Sequence, residues 1–375
     1  MKTFLKILVG VLLAGGLFTF AFYRTPQERA FREHLKKAQA NEESAQLALA
    51  QDYLLGQGTK PDTAQAVAWY EKAAASGSAQ AAWQLYELYS SGNQVPADPA
   101  RALDYLQLAV QRNWPQAQYE WGNFYAQGEQ VPEHKGQALF WYMMAAKNGS
   151  APAQAKVEGL ATQEPDLFEQ VSQFAAQLAS AEQNNTQAML EVAQSYRQGN
   201  PILQDAPLAA QWYEKAWETS NHTLPAAAMA LWGLYSTGEG VEQDENAAAD
   251  YLAAAAELKD PAAQYQLGEQ AYSEDPARME DAFAWFSNAA AQGHSQAQYM
   301  TGFMLLQGQG TAKSVPLAIR FFEQSANQEN PSAQYVLGQL YLKGIGVKKS
   351  PRKGRAWLNQ AAQNGSEPAK ALLGI

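Results

Sequence analysis

The chain of 375 residues carries 27 Lys and Arg against 37 Asp and Glu, is 47% hydrophobic and has no cysteine. Without cysteine, disulfides, zinc–thiolate clusters and thiol nucleophiles are excluded. A formal charge of -10 argues against nucleic acid, whose binders gather Lys and Arg on one face, and a composition rich in Ala, Gln and Tyr suits packed helices.

The amino terminus reads as a membrane-targeting segment over 1–24. Lys2 and Lys6 precede an almost uncharged run of 17 residues, Ile7 to Tyr23, closed by Arg24. As helix such a run is roughly 25 Å long, enough for an anchor if Phe4 and Leu5 enter the bilayer and Lys6 snorkels. Cleavage after Ala21, with Thr19 three residues before, is the competing reading. The expected location is therefore the inner membrane, facing the periplasm, with a cleaved, soluble periplasmic or secreted form as the alternative. Thr25-Pro26-Gln27-Glu28 is a capping-box pattern and opens a leading amphipathic helix, 25–44 with its connection, in which Glu28/Arg32 and Glu33/Lys37 are spaced to pair.

From there one unit recurs. It begins with Ala, followed four residues on by an apolar side chain and eight on by an aromatic or apolar one, at Ala45, Ala81, Ala117, Ala153, Ala188, Ala227, Ala263, Ala297 and Ala333. Spacings run from 34 to 39 residues, and Ala369 starts a truncated tenth unit. The first helix of each unit carries a stripe such as Leu85/Tyr89 or Leu337/Tyr341, then a glycine (Gly56, Gly92, Gly128, Gly199, Gly238, Gly308, Gly344) that ends it. After a polar loop, caps such as Asp98-Pro99, Asp275-Pro276 and Ser350-Pro351 start a second helix. That helix holds an aromatic pair and a small pair, as in Trp69-Tyr70 with Ala73-Ala74, Trp141-Tyr142 with Ala145-Ala146 and Trp285-Phe286 with Ala289-Ala290. Ser78, Ser150 and Ser295 are expected to cap the next unit.

The string Ala333-Gln334-Tyr335-Val336-Leu337-Gly338, then Tyr341 to Val347, Ala356-Trp357-Leu358 and Ala361 to Gly365 resembles the Sel-1-like repeat, a relative of the tetratricopeptide repeat. The resemblance runs from about Ala45 to the C-terminus. It implies an all-α, right-handed solenoid of about nine helix-turn-helix units behind the membrane segment and leading helix, used as an adaptor or scaffold with no chemistry of its own. Repeats 1–3 occupy 45–152 and repeats 5–9 with the partial unit 188–375. Between them, 153–187 departs from the pattern, with Glu164-Pro165-Asp166 where the glycine loop belongs and no Trp pair, so a bend is expected there. The unit at Ala263 is short, with Ser273-Glu274-Asp275 replacing its glycine loop.

No constellation reads as catalytic. Gly308 to Ser314 has the wrong Gly-to-Lys spacing for a phosphate loop and no preceding strand, while His34, His134, His222 and His294 lie in different units as solvated or turn residues. No cofactor, metal or small-molecule substrate is expected. Helical-wheel arithmetic places unit positions 2, 3, 6 and 10 on the arc away from the core. Position 2 is a shared aromatic (Trp83, Tyr119, Tyr265, Tyr299, Tyr335), which points to packing. Positions 3 and 6 change from unit to unit: Gln84/Glu87, Glu120/Asn123, Glu191/Gln194 and Gln266/Glu269. Variation is what specificity requires, so these eight residues are the candidate contacts for a protein or extended peptide on the concave face that the resemblance implies. A second candidate follows from charge. Glu239 to Asp281 is net -10, whereas Lys343 to Lys370 is net +6, and Lys343, Lys348, Lys349, Arg352, Lys353 and Arg355 form a docking patch of opposite sign. The expected function is an adaptor of the bacterial envelope, and the alternative is an immunity protein that neutralises a secreted antibacterial toxin.

Overall fold

The computed structural model describes residues 25–274 and 276–374, leaving the side chains of Glu274 and Pro276 aside, so the expected membrane segment at 1–24 lies outside the described residues. Every regular element among those residues is helical, and none of the helices is long and apolar enough to cross a membrane. The chain divides into two compact units, the first ending at Ala175 but also holding residues 201–203, the second comprising the rest.

The first unit opens with α1 (Pro26–Gln39), and its capping box forms: the Glu28 N–H donates to Thr25 Oγ1 at 3.2 Å while the Thr25 N–H donates to Glu28 Oε2 at 3.1 Å. Glu28 is thereby committed to the cap, and the expected Glu28/Arg32 pair is not among the ion pairs of the described residues, whereas Glu33–Lys37 closes at 2.7 Å. The repeats follow as α2 (Glu43–Leu55) with α3 (Thr63–Ala75), α4 (Ala79–Ser91) with α5 (Pro99–Gln111), and α6 (Pro115–Gln127) with α7 (Lys135–Lys147). Next comes α8 (Ala151–Gln163), then α9 (Pro165–Glu182), within which the two units divide.

In the second unit, α10 (Thr186–Gln198) pairs with α11 (Ala206–Thr219), α12 (Pro225–Thr237) with α13 (Glu245–Glu257), and α14 (Pro261–Glu274) with α15 (Met279–Ala291) through a 3-10 turn at Pro276–Arg278. The series continues with α16 (Ser295–Gln307) and α17 (Val315–Asn327), α18 (Pro331–Lys343) and α19 (Pro351–Gln363), and the single helix α20 (Glu367–Leu373) of the partial repeat.

Local chemistry explains the punctuation. All seven expected glycines end a first helix in the left-handed region, φ between 66° and 78°, where a Cβ would be strained. Asp62, Asp98 and Asp205 then accept the N–H of the third residue of α3, α5 and α11. Ser78 and Ser150 cap α4 and α8 as expected, but α16 already begins at Ser295 and its cap is the preceding His294, whose Nδ1 accepts the Ala297 N–H at 3.2 Å. His134 does the same for α7 through the Gln137 N–H at 3.0 Å. The residue preceding α15 is Arg278, with no side-chain cap bond; the expected cap Asp275 lies outside the described residues.

The core of each unit is what the stripe predicts. The leading alanine of every unit is buried, as are Leu49, Leu85, Val192, Leu231 and Leu337. Each aromatic pair divides its labour: Tyr70, Tyr142 and Phe286 are fully enclosed, while the preceding Trp69, Trp141 and Trp285 are half-buried. The larger side chain is therefore the lesser contributor to the core. Leading helix α1 lays Phe31, Leu35 and Ala38 on Ala45, Leu49 and Tyr53, and its His34 Nδ1 meets the carboxylate of Asp52 at 2.7 Å. Asp52 stands where Leu88, Leu234 and Leu340 stand in other units, and its side chain is only 7% exposed, so His34 is a structural partner rather than a solvated residue.

Candidate functional site

Two classes of first-helix residue separate in the structure. Three position-2 aromatics turn onto the second helix of their own unit: Tyr119 lies 5.6 Å from Tyr142 between ring centroids, Tyr265 5.6 Å from Phe286 and Tyr299 6.0 Å from Phe322, whereas Trp83 lies against Tyr86 of its own helix at 5.0 Å. The three tyrosines hold their hairpins together. Positions 3 and 6 stand beside them on the outer arc, with Glu87, Gln194 and Glu269 exposed and Gln84, Glu120, Asn123, Glu191 and Gln266 half-buried.

In the first unit these residues form a connected polar surface. Gln84 donates to Glu87 at 2.6 Å, and Tyr86 reaches across to Glu120 on the next first helix at 3.4 Å. Asn123 donates to Glu120 at 3.1 Å and accepts from the Tyr142 hydroxyl at 2.9 Å. Burial raises the pKa of the Glu87 carboxyl against the hydrogen bond from Gln84, and burial with the nearby Glu120 pushes the Tyr86 hydroxyl up to about 12. A groove of about 320 Å³ runs between α4 and α6, lined by Tyr86, Glu120 and Phe124 over Ala102 and Leu103. A second, of about 310 Å³, lies between α6 and α8, where Lys135 pairs with Glu164 at 2.6 Å.

In the second unit Glu191 accepts from Gln177 at 2.8 Å and from Gln187 at 3.2 Å, and the Tyr265 hydroxyl donates to Glu269 at 2.5 Å. Burial and that bond raise the Tyr265 pKa. Between α10 and α12 lies a groove of about 610 Å³, lined by Gln187, Glu191, Gln194, Arg197 and Gln198 on one side and Ala226 and Ala230 on the other. Thus Glu191 and Gln194 share one groove and Glu120 lines another, whereas Gln266 and Glu269 line none of these three.

The basic patch is also in the second unit. Lys343 ends α18, Lys348 and Lys349 lie in the following loop, and Arg352, Lys353 and Arg355 are on the first turns of α19; all six are exposed. Lys353 Nζ sits 5.5 Å from the Tyr341 ring centroid, and none of the ion pairs among the described residues involves the six.

Three features escape a residue-by-residue reading. One is a set of buried glutamines at unit position 1. Gln264, Gln298 and Gln334 each donate to a carbonyl at the end of the preceding second helix and accept from the residue closing their own unit's second helix: Gln292 at 2.9 Å, Gln328 at 2.8 Å and Asn364 at 3.0 Å. The repeated Ala-Gln dipeptide was the available signal. Another is Arg197, which engages both oxygens of Glu239 at 2.7 to 3.2 Å, a pairing across 42 residues that no local spacing indicates. The third is the small-residue floor of the α10/α12 groove, visible in the sequence only once the two helices are known to be neighbours. No group of three or more His, Asp or Glu suited to a metal ion is found among the described residues.

The Sel1 repeat model matches eight segments: 43–78, 79–114, 115–150, 186–217, 226–260, 261–294, 295–330 and 331–366. The chain belongs to the Sel1 repeat family. The stretch it leaves out in mid-chain, 151–185, is that of α8 and α9. Among solved structures, the chain is similar to a Sel1 repeat protein from Oxalobacter formigenes, at 25% identity over 92% of this chain and 89% of that one, TM-score 0.46. It is also similar to c5321, a protective antigen of uropathogenic Escherichia coli strains displaying an SLR fold, at 26% identity over 92% and 81%, TM-score 0.37. The immunity protein Pa5087 from Pseudomonas aeruginosa matches at 18% identity over 68% and 83%, TM-score 0.34.

Proposed function

We propose that this Sel1 repeat protein is a non-enzymatic adaptor that binds protein partners on its first-helix face, held at the inner membrane by its N-terminal segment and facing the periplasm. One observation carries the binding surface. The recurring aromatics Tyr119, Tyr265 and Tyr299 are spent on hairpin packing, while the polar residues that differ between units stand on the outer arc, with Glu120, Glu191 and Gln194 lining grooves between consecutive first helices. Framework shared by every unit cannot tell partners apart; residues that vary at fixed positions can. A protein interface buries on the order of 800 Å² per side, which several adjacent helices supply and one groove of this size does not.

The test is site-specific photocrosslinking in cells from Glu87, Asn123, Gln194 and Glu269, with the same probe at Lys349 and Arg355 as the competing surface. A common protein captured from the first-helix positions, whose affinity falls when those positions are substituted, supports the reading. Capture confined to Lys349 and Arg355 moves the docking site to the basic patch. Capture of a toxin favours the inhibitor alternative. Membrane attachment is tested separately by sequencing the mature N-terminus: Phe22 as first residue replaces the anchor with a cleaved signal.

A further inference from the structure

The α10/α12 groove, at about 610 Å³, is the largest of the three and joins a floor of small residues to a wall of amides. Every first helix presents positions 3 and 6 outward, and at most units these are large: Gln84 and Glu87, Glu120 and Asn123, Gln266 and Glu269, Met300 and Phe303. On α12 they are Ala230 and Gly233, with Ala226 one turn before. A Cβ added to Gly233 would meet nothing nearer than the Arg197 guanidinium, at 4.0 Å, so the helix backbone here is open to close approach. The facing wall is α10, whose Gln187, Glu191, Gln194 and Gln198 recur at helical spacing along one side. Within that wall Glu191 is already bonded to Gln177 and Gln187, and Arg197 is held by Glu239. Gln194 and Gln198, one turn apart and both exposed, carry no side-chain hydrogen bond among the described residues. Each therefore presents a free donor and a free acceptor over a shallow floor.

We propose that this groove takes an extended, basic peptide segment of a partner protein, its main chain lying over Ala230 and Gly233 and paired with the amides of Gln194 and Gln198. This deepens the proposed first-helix binding surface and rests on it. The chemistry follows from the walls. A side-chain amide is matched by the donor and acceptor of a peptide group, and an extended segment offers those groups along its length, whereas a helix has already used them in its own bonds. Thirteen-residue α10 is roughly 20 Å long, the span of about six extended residues. Charge selects the sign: Arg197, the one cation lining the groove, is paired with Glu239, which leaves Glu191 as the acidic group without a basic partner there.

The experiment pans a random dodecapeptide display library on the full-length protein and measures the enriched peptides by fluorescence anisotropy. Enrichment of Lys- and Arg-bearing sequences is expected, with affinity falling as salt rises. Gly233→Phe should reduce that affinity at least tenfold; the added Cβ meets only the movable Arg197 guanidinium, at 4.0 Å, and Phe303 holds the same unit position on α16. Gln194→Ala with Gln198→Ala should lower it several-fold, and N-methylation of the peptide backbone should do the same. Circular dichroism melts accompany each variant. No enrichment, enrichment without basic bias, or peptides that bind Gly233→Phe as tightly as the wild type would overturn the proposal. Partner capture at Glu87 and Asn123 that survives Gly233→Phe, beside any of those results, would leave the wider first-helix reading standing and remove this groove from it.

Discussion

The hairpin of α6 and α7 and the pair α8 and α9 begin alike and end differently. Counting from Ala117 and Ala153, α6 buries Ala117, Gln118, Gly122 and Phe124, whereas α8 buries Ala153 alone. Where α6 has Gln118 bridged to Asn148 at 2.8 Å, α8 has Gln154, which turns outward to Glu158. Tyr119, packed on Tyr142, is matched by Ala155; Gly122, seated under the Tyr142 ring, by Glu158, with Gly159 beside it facing open space. Gly128 ends α6 at φ 69°, and Glu164 at the same place ends α8 at φ -134°. A glutamate does not take the left-handed turn cheaply, so no glycine loop forms and Pro165 starts α9 after a one-residue connection. Helix propensity and the leading alanine are thus not what make a unit. What α6 has and α8 lacks are the interlocking Gly, aromatic and Gln contacts.

The largest test of that contrast is Tyr142→Ala, which removes a fully enclosed ring and should cost about 3–5 kcal/mol in urea unfolding. Trp141→Ala should cost less despite the larger side chain, because Trp141 is half-buried. Equal losses would mean that burial does not rank the pair.

Gly122→Ala comes next. A Cβ there would stand 2.7 Å from the Tyr142 ring, and overpacking of this kind costs about 1–3 kcal/mol. Gly159→Ala, one residue past the matching position on α8, meets nothing within 4 Å on an ordinary helical backbone and should stabilise by about 0.5–1 kcal/mol. Opposite signs on the two sides of the comparison are the expected result; a loss at both would show that α8 is packed as tightly as α6.

The smallest effect lies at the caps. Ser150 caps α8 without titrating, whereas His294 caps α16 and lies against Tyr265, ring centroids 4.8 Å apart and planes tilted by 30°. Burial lowers the His294 pKa, against smaller opposing effects of Asp260 and Glu269. The folded state thus prefers the neutral ring, and stability is lost as pH falls through the ordinary histidine value near 6.5. His294→Asn keeps a cap of the kind Asn330 supplies to α18 and removes the titration. Comparing urea midpoints at pH 7.5 and 5.0, the wild type should lose more than the variant, by less than about 1 kcal/mol. Identical pH dependence would remove His294 from the account.

How much was legible depended on whether a signal recurred. Repeat starts, helix-ending glycines and the caps Asp98 and Ser350 were readable because each is a local requirement met many times in one chain. His294 in place of Ser295 as a cap was missed by one residue, since both stand at the turn and only backbone geometry selects between them. The variable polar positions were placed on the outer arc by periodicity, and they lie there. Which of them share a groove was not legible, because that depends on which residues the next helix offers. The α10/α12 groove needs Gln194 and Gln198 from one repeat and Ala226 and Ala230 from the next.

The sequence by itself determined the repeated helical hairpin, its boundaries and its buried stripe, because helix ends, capping and a 3.6-residue period act over a few residues. Tertiary structure alone decided what happens between hairpins: that Asp52 is matched by His34, that Arg197 locks onto Glu239, that buried glutamines tie one helix end to another, and that two small residues leave a groove. Such pairings join residues 18 to 42 positions apart, and a side chain's partner at that distance is set by the packing of whole helices rather than by its neighbours in the chain.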